Sequence, residues 1–102
     1  MNIKTLFSAI QLRPGMYVRI VSFDGVVNYI DNFISTKRIC GIDEIVDDDF
    51  SQNFSHWVCD YFNMNHEFSK HWDKVIYINC SSDEEALEKL FFLAEKFFGR
   101  PL

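Results

Sequence analysis

The sequence predicts an all-α fold, a single-domain bundle of four or five amphipathic helices that spans residues 1–102. Apolar residues recur at helical spacing along the chain, and capping residues stand in front of several of these segments. The connections are short, since neither a linker rich in proline, glycine or serine nor an internal repeat separates the segments. With 48% apolar and 17% aromatic residues, the 102-residue chain can bury one small core.

The first predicted helix is short and ends before Pro14, which disfavours helical backbone at the preceding residue. Residues 16–21 are rich in β-branched side chains, but so short a segment does not identify a strand, and we assign it to a loop. In this interpretation Pro14 fixes a turn, and Met16 and Tyr17 fold back onto the core. The apolar positions of the helix are Ile3, Leu6, Phe7 and Ile10.

A second helix is predicted after Ser22, whose hydroxyl can cap it. Gly41 can end this helix in a left-handed conformation, which glycine adopts without steric cost. Its apolar residues at helical spacing are Phe23, Val26, Val27, Ile30, Phe33 and Ile34.

The third predicted helix carries an aromatic stripe that we expect to be buried. Asp49 followed by Gln52 has the spacing of a capping box, which predicts that the helix begins there. The stripe consists of Phe50, Phe54, Trp57, Val58, Tyr61 and Phe62.

A fourth helix is predicted after Ser69, a possible cap, with Trp72, Val75 and Ile76 on one face. Residues 75–78 are also suited to a short strand, because β-branched and aromatic side chains favour a pleated surface. This alternative stays open at the level of the sequence.

The last predicted helix begins at a capping box formed by Ser82 and Glu85, and Gly99 and Pro101 end it. Phe92 and Leu93 widen its apolar face beyond what one neighbouring helix would cover. We therefore expect this helix either to lie centrally or to offer a surface for self-association. The other apolar positions are Ala86, Leu87, Leu90, Phe91, Ala94, Phe97 and Phe98.

Composition also restricts the location and the partners. No apolar run approaches the length of a membrane-spanning helix, and residues 1–12 lack the features of a secretion signal. Cys40, Cys59 and Cys80 are widely spaced among apolar neighbours, which favours a reducing cytoplasmic location over a disulfide framework. The formal charge of −5 disfavours nucleic acid as a ligand. We expect neither a nucleic-acid nor a membrane partner.

The sequence contains no complete catalytic, metal or cofactor motif. His56 and Cys59 could face one side of a helix, but a tetrahedral metal shell needs about two further ligands. Residues 13–17, Arg-Pro-Gly-Met-Tyr, resemble a short run near the nucleotide site of type II topoisomerase ATPase subunits, whose acidic helix and glycine-rich lid have no counterpart here. We expect no enzyme activity, no metal and no cofactor.

The most unusual charged feature is a cluster of five acidic residues within seven positions. It can be read as a solvated loop whose last acids cap the third helix. Alternatively, it presents negative charges to a basic surface of a partner protein and accelerates the encounter. The candidate partner-binding residues are Asp43, Glu44, Asp47, Asp48 and Asp49.

Several modest landmarks follow one another along nearly the whole chain. They are Arg13-Pro14-Gly15-Met16-Tyr17-Val18, Ile30-Asp31-Asn32-Phe33-Ile34, Phe54 with Trp57-Val58, Trp72 with Val75-Ile76, and Ser82-Asp83-Glu84-Glu85-Ala86 leading to Phe91 and Phe92. Their order resembles a family of small bacterial proteins, some of which are encoded beside polymorphic toxins as their immunity proteins.

The resemblance implies a cytoplasmic protein that binds and neutralises the C-terminal domain of a cognate toxin without catalysis. The expected toxin is a nuclease with a basic cleft, delivered by a contact-dependent growth inhibition system. No functional motif of the family maps residue by residue onto this chain, so the candidate binding residues rest on charge. The alternative function is a self-associating structural or regulatory module, and the sequence leaves the oligomeric state open.

Overall fold

The structure, a computed structural model, describes residues 1–68 and 70–100. Within these ranges it contains five α-helices and no strand, which confirms the all-α prediction. The helices are α1 (Ile3–Leu12), α2 (Phe23–Ile39), α3 (Ile45–Tyr61), α4 (Trp72–Ile78) and α5 (Asp83–Phe98), with 3₁₀ turns at Pro14–Met16 and His66–Phe68.

The chain divides into two compact units, Met1–Ser51 and Gln52–Leu102. Helix α3 begins in the first unit and ends in the second. The single-domain organisation expected from the chain length stays a prediction.

In the first unit, α1 is capped by Asn2, which forms a reciprocal capping box with Thr5. The four apolar positions expected for this helix are all buried. The loop that follows departs from the prediction in one detail, because Met16 is exposed while Val18 is buried. The Tyr17 ring packs edge-on against the ring of Tyr29 at 5.9 Å. Val18 therefore takes the inward position that the sequence assigned to Met16.

Both ends of α2 agree with the prediction. The Ser22 hydroxyl accepts a hydrogen bond from the backbone N–H of Gly25. At the other end Gly41 has a φ of 69°, and the N–H of Ile42 donates to the carbonyl of Lys37. The N–H of Gly41 also donates to the carbonyl of Arg38. These bonds form a Schellman motif, in which a left-handed residue satisfies the last carbonyls of the helix.

Helix α3 begins at Ile45, one turn earlier than predicted, so the expected capping box of Asp49 and Gln52 is wrong. The N–H of Glu44 donates to Asp47 Oδ2, and the N–H of Asp48 donates to the carbonyl of Glu44. These two bonds close a helical turn ahead of Asp49, which consequently lies inside the helix.

In the second unit, aromatic rings surround Phe54. The ring centroids of Trp57, Trp72 and Phe97 lie 6.3, 5.3 and 5.2 Å from the centroid of Phe54. The pairs with Trp72 and Phe97 are edge-to-face and the pair with Trp57 is stacked, and such aromatic pairs add to the stabilisation from apolar burial. The predicted stripe is thus buried at its centre, whereas Tyr61 at its end is exposed.

Residues 75–78 belong to α4, so the helical alternative is the one that the structure adopts. Ser69, the expected cap of this helix, lies outside the described residues. The backbone before α4 passes through His71, whose side chain makes no capping hydrogen bond.

Ser82 caps α5 by accepting from the N–H of Glu85. The Glu85 carboxylate reaches the N–H of Ser81 rather than that of Ser82, so the reciprocal bond is displaced by one residue. Gly99 forms the C-terminal cap, and Pro101 lies outside the described residues. Leu93 is fully buried while Phe92 is exposed, so the two residues lie on different sides of the helix.

Candidate interaction surface at the start of α3

The acidic segment is built around one buried ion pair in the first unit. Asp47 is 1% exposed, and its Oδ2 lies 2.9 Å from the ammonium nitrogen of Lys37. The Lys37 ammonium group also donates to the carbonyl of Met1 at 2.8 Å and to Glu44 Oε2 at 3.3 Å. The pair therefore joins the end of α2 to the start of α3 and to the residues before α1.

Two backbone groups complete the environment of Asp47. Its Oδ1 accepts from the N–H of Ile3 at 2.7 Å, and its Oδ2 accepts from the N–H of Glu44 at 2.8 Å. Burial acts to raise the pKa of Asp47, but the hydrogen bonds from Glu44, Lys37 and Ile3 outweigh it and hold the pKa below its usual value. The hydrogen bond to Asp47 in turn raises the pKa of Lys37.

Asp47 consequently differs from the other four residues of the predicted binding cluster. Its carboxylate is turned inward and fully hydrogen-bonded, so it cannot contact another macromolecule in this conformation. A buried charge requires such partners, because transfer of an unpaired carboxylate out of water is very costly. Asp47 fixes the position of the helix start and is not part of the surface.

The remaining four acids lie at the surface of this segment. Glu44 is exposed, and Asp43, Asp48 and Asp49 are half-buried. A side-chain hydrogen bond with Asp43 raises the pKa of Asp48, and the nearby charge of Arg38 acts in the opposite direction. The carboxyl groups of Asp43 and Asp48 are thus neighbours, which concentrates negative charge beside the start of α3.

Three isoleucines that the sequence analysis did not single out flank these acids. Ile39, Ile42 and Ile45 are 85%, 63% and 89% exposed. In a Schellman motif the residue in the position of Ile42 frequently contacts an apolar residue on the last helical turn. Here the facing position is Lys37, whose ammonium group is engaged with Asp47, and Ile42 projects outward. The sequence signal for these three isoleucines was their regular spacing of three residues, which continues past the end of α2.

The candidate nucleophiles and metal ligands are not brought together. Cys59 is fully buried, and burial raises the pKa of its thiol, whereas His56 is exposed. The His56 ring packs against the His66 ring at 4.6 Å, and His66 Nε2 lies 2.6 Å from Asp60 Oδ1. Within residues 1–68 and 70–100, no group of three His, Cys, Asp or Glu side chains could hold a metal ion. Cys40 is exposed and Cys80 half-buried.

The face of α5 that was expected to support self-association is narrower than predicted. Because Leu93 is buried, Phe92 is the exposed member of the pair. The ammonium groups of Lys89 and Lys96 lie 5.4 and 5.0 Å from the centroid of the Phe92 ring. Phe92 and Trp57 line an open groove of about 500 Å³ in the second unit. Charged groups therefore border both sides of this aromatic residue.

None of the helices in the described part of the chain combines the length and apolar character needed to cross a bilayer. No family model, curated protein or solved structure matches this chain.

Proposed function

We propose that this protein is an immunity protein that binds and neutralises the C-terminal domain of a cognate toxin, a nuclease of a contact-dependent growth inhibition system. Asp43, Glu44, Asp48 and Asp49 form the acidic part of its binding surface. The observation that carries the proposal is the arrangement around Asp47: an internal ion pair fixes the helix start from which these four acids project.

A fixed acidic surface is well suited to rapid inhibition of a protein with a basic cleft. Opposite charges accelerate diffusional encounter, and complementary potentials disfavour incorrect partners. Ordering of a mobile loop on binding would cost free energy, and a preorganised helix start avoids much of that cost. The four surface carboxylates can thus act on the association rate without any rearrangement of the chain.

Two further features support the proposal. The order of landmarks along nearly the whole chain resembles a family that includes immunity proteins, as described above. The exposed isoleucines beside the acids supply apolar contact area, which slows dissociation more than exposed charges do. Together these features are typical of a protein that acts by tight binding.

Co-expression tests the proposal directly. The gene is expressed together with the toxin domain encoded beside it, and cell survival is measured with and without the protein. We expect survival only when the protein is present. Equal killing in both cultures would refute the proposal.

Association kinetics test the acidic surface separately. We expect the triple variant Asp43→Asn/Asp48→Asn/Asp49→Asn to associate with the toxin domain roughly tenfold more slowly at low salt, with a flatter salt dependence. The matched control changes three exposed glutamates of α5 by the same total charge: Glu84→Gln/Glu88→Gln/Glu95→Gln. If both variants associate at the same rate, the acidic segment is not the binding surface.

A further inference from the structure

A second mixed surface lies in the loop between α1 and α2. Leu12, Met16 and Ile20 are 78%, 71% and 74% exposed there, and Arg13 and Arg19 are exposed beside them. Residues 12–23 contain two basic side chains and no acidic one. We call Leu12, Arg13, Met16, Arg19 and Ile20 the basic end of the first unit.

The surface described in the previous subsections has the opposite charge. It combines three exposed isoleucines with four acids, and we call it the acidic end. Its members are Ile39, Ile42, Ile45, Asp43, Glu44, Asp48 and Asp49. Each end therefore offers several exposed branched or flexible apolar side chains next to charges of a single predominant sign.

The two ends lie at opposite ends of α2. The contacts of Lys37 with Met1 and of Asp47 with Ile3 place the start of α1 beside the end of α2 and the start of α3. The loop of the basic end precedes the first residue of α2. Because α2 has 17 residues, about 25 Å of helix separates the ends, so one molecule cannot bring them into contact.

We propose that the basic end of one molecule docks on the acidic end of a second copy of this chain. Opposite charges and exposed apolar residues on both surfaces make them complementary, and exposed apolar patches bordered by charge are typical of protein interaction sites. Such a contact joins two different surfaces, so each molecule can use both ends at once. With few residues on each side, it belongs to the small and weak class of interfaces.

This inference goes beyond the proposed function, although both use the acidic end. A toxin domain bound there would displace the second copy. Self-association nevertheless requires only this chain, so it can be tested without any toxin.

Sedimentation equilibrium of the full chain tests the inference. At about 0.05 M salt we expect the average mass to rise above 12.1 kDa as the protein concentration increases. At about 0.5 M salt, where charges are screened over a shorter distance, the association constant should fall at least roughly tenfold. A mass of one chain at all concentrations and both salt levels would overturn the inference.

Two variants identify the surfaces. Arg13→Glu/Arg19→Glu reverses the basic end, and Ile39→Lys/Ile45→Lys places positive charge at two highly exposed positions of the acidic end. We expect each variant alone to sediment as a single chain, because it retains only one functional end. An equimolar mixture should form a one-to-one complex, since each variant supplies the end that the other lacks.

The control is Ile78→Lys, which adds one positive charge at an exposed isoleucine of α4 and should self-associate like the unmodified protein. Circular dichroism verifies that all variants keep their helical content. Association of either double variant alone, or no complex in the mixture, would overturn the docking of basic on acidic ends. Complementation in the mixture cannot result from misfolding, so it separates a docking role from a structural one.

Discussion

The carboxylate of Asp47 accepts hydrogen bonds from two backbone N–H groups and from the Lys37 ammonium group, although it is almost inaccessible to water. Removal of one member of a buried ion pair leaves the other charge without compensation. The stability of the first unit should therefore depend on this residue far more than on the acids around it.

We predict that Asp47→Asn lowers the free energy of unfolding by about 3 kcal/mol, since the buried ammonium group of Lys37 loses its main counter-charge. Urea unfolding followed by circular dichroism measures this change. The matched control is Glu44→Gln, whose carboxylate is 53% exposed and 3.3 Å from the same nitrogen. We expect the control to lose less than about 1 kcal/mol.

The double variant Asp47→Asn/Lys37→Met should recover part of the loss, because an apolar side chain removes the uncompensated charge. A double variant less stable than Asp47→Asn would mean that Lys37 contributes mainly through its bonds to Met1 and Glu44.

Acid titration gives a second prediction at the same site. The pKa of Asp47 is lowered in the fold from its usual 3.8, so its contribution to stability is present above pH 3.8 and is lost as the pH falls through the lowered value. Asp48 affects the pH dependence of stability in the opposite direction. Its pKa is raised in the fold, so its contribution to stability increases as the pH falls toward 3.8. The free energy of unfolding is measured at several acidic pH values. Below pH 3.8 it should fall less steeply with pH for Asp47→Asn than for the unmodified protein. An unchanged slope would contradict this assignment.

Sequence patterns cannot reveal the role of Asp47. Aspartate is mostly exposed in folded proteins, and five acids in a row of seven residues suggest a uniform solvated segment. Glu44 binds Asp47 locally, but Lys37 lies on another helix and Ile3 lies 44 positions away. Only the tertiary structure distinguishes the inward acid from the four at the surface.

At the scale of the helices, the end of α2 offers a controlled test of backbone strain. Gly41 has a φ of 69°, and no atom lies within 4 Å of the position that an added Cβ would occupy. We predict that Gly41→Ala destabilises the protein by about 1 kcal/mol through backbone strain alone.

Gly15 provides the comparison, since its surroundings are equally open but its φ is not positive. Gly15→Ala should be neutral or up to about 0.5 kcal/mol more stable, because alanine restricts the unfolded chain. Thermal unfolding of the two variants measures the difference. Equal effects would show that the left-handed conformation of Gly41 is not a constraint.

Local signals predicted the helices where local contacts determine them. The Ser22 and Ser82 hydroxyls accept hydrogen bonds from N–H groups three residues ahead, as expected of residues that precede a helix. The apolar positions of α1 are buried, as their helical spacing indicated. The start of α3 was missed because Asp49 and Gln52 have the spacing of a capping box, whereas the bonds of Glu44 and Asp47 close an earlier turn. The bond between Glu44 and Asp47 is as local as the predicted capping box, and the ion pair of Asp47 with Lys37 reinforces it.

At the scale of the whole molecule, the three cysteines report on different regions. Cys40 is exposed in the first unit, whereas Cys59 is fully buried in the second, where burial raises the pKa of its thiol and of the half-buried Cys80. We predict that a thiol reagent modifies Cys40 rapidly, Cys80 more slowly, and Cys59 only when the second unit opens.

Mass spectrometry of the modified protein at successive times measures this order, and Cys40→Ser removes the rapid phase as the control. Rapid modification of Cys59 in the native protein would contradict its burial.

The exposure of large apolar residues was beyond sequence analysis at this scale. Isoleucines count as core residues in any periodicity argument, yet Ile39, Ile42 and Ile45 lie outside. Whether an apolar residue is covered depends on the elements that pack over it, and the helical pattern alone does not identify them. The charges at the two ends of α2, by contrast, are apparent in the sequence once the ends are known.

The hydrogen bond between Asp47 and Ile3 has a consequence for biosynthesis. Ribosomes release a chain from its amino terminus, so α1 and α2 leave the exit tunnel before residue 47 does. Until then Lys37 lacks its buried counter-charge and stays hydrated. The Lys37 side chain of the newly made α1 and α2 can therefore be buried only after Asp47 has also left the tunnel.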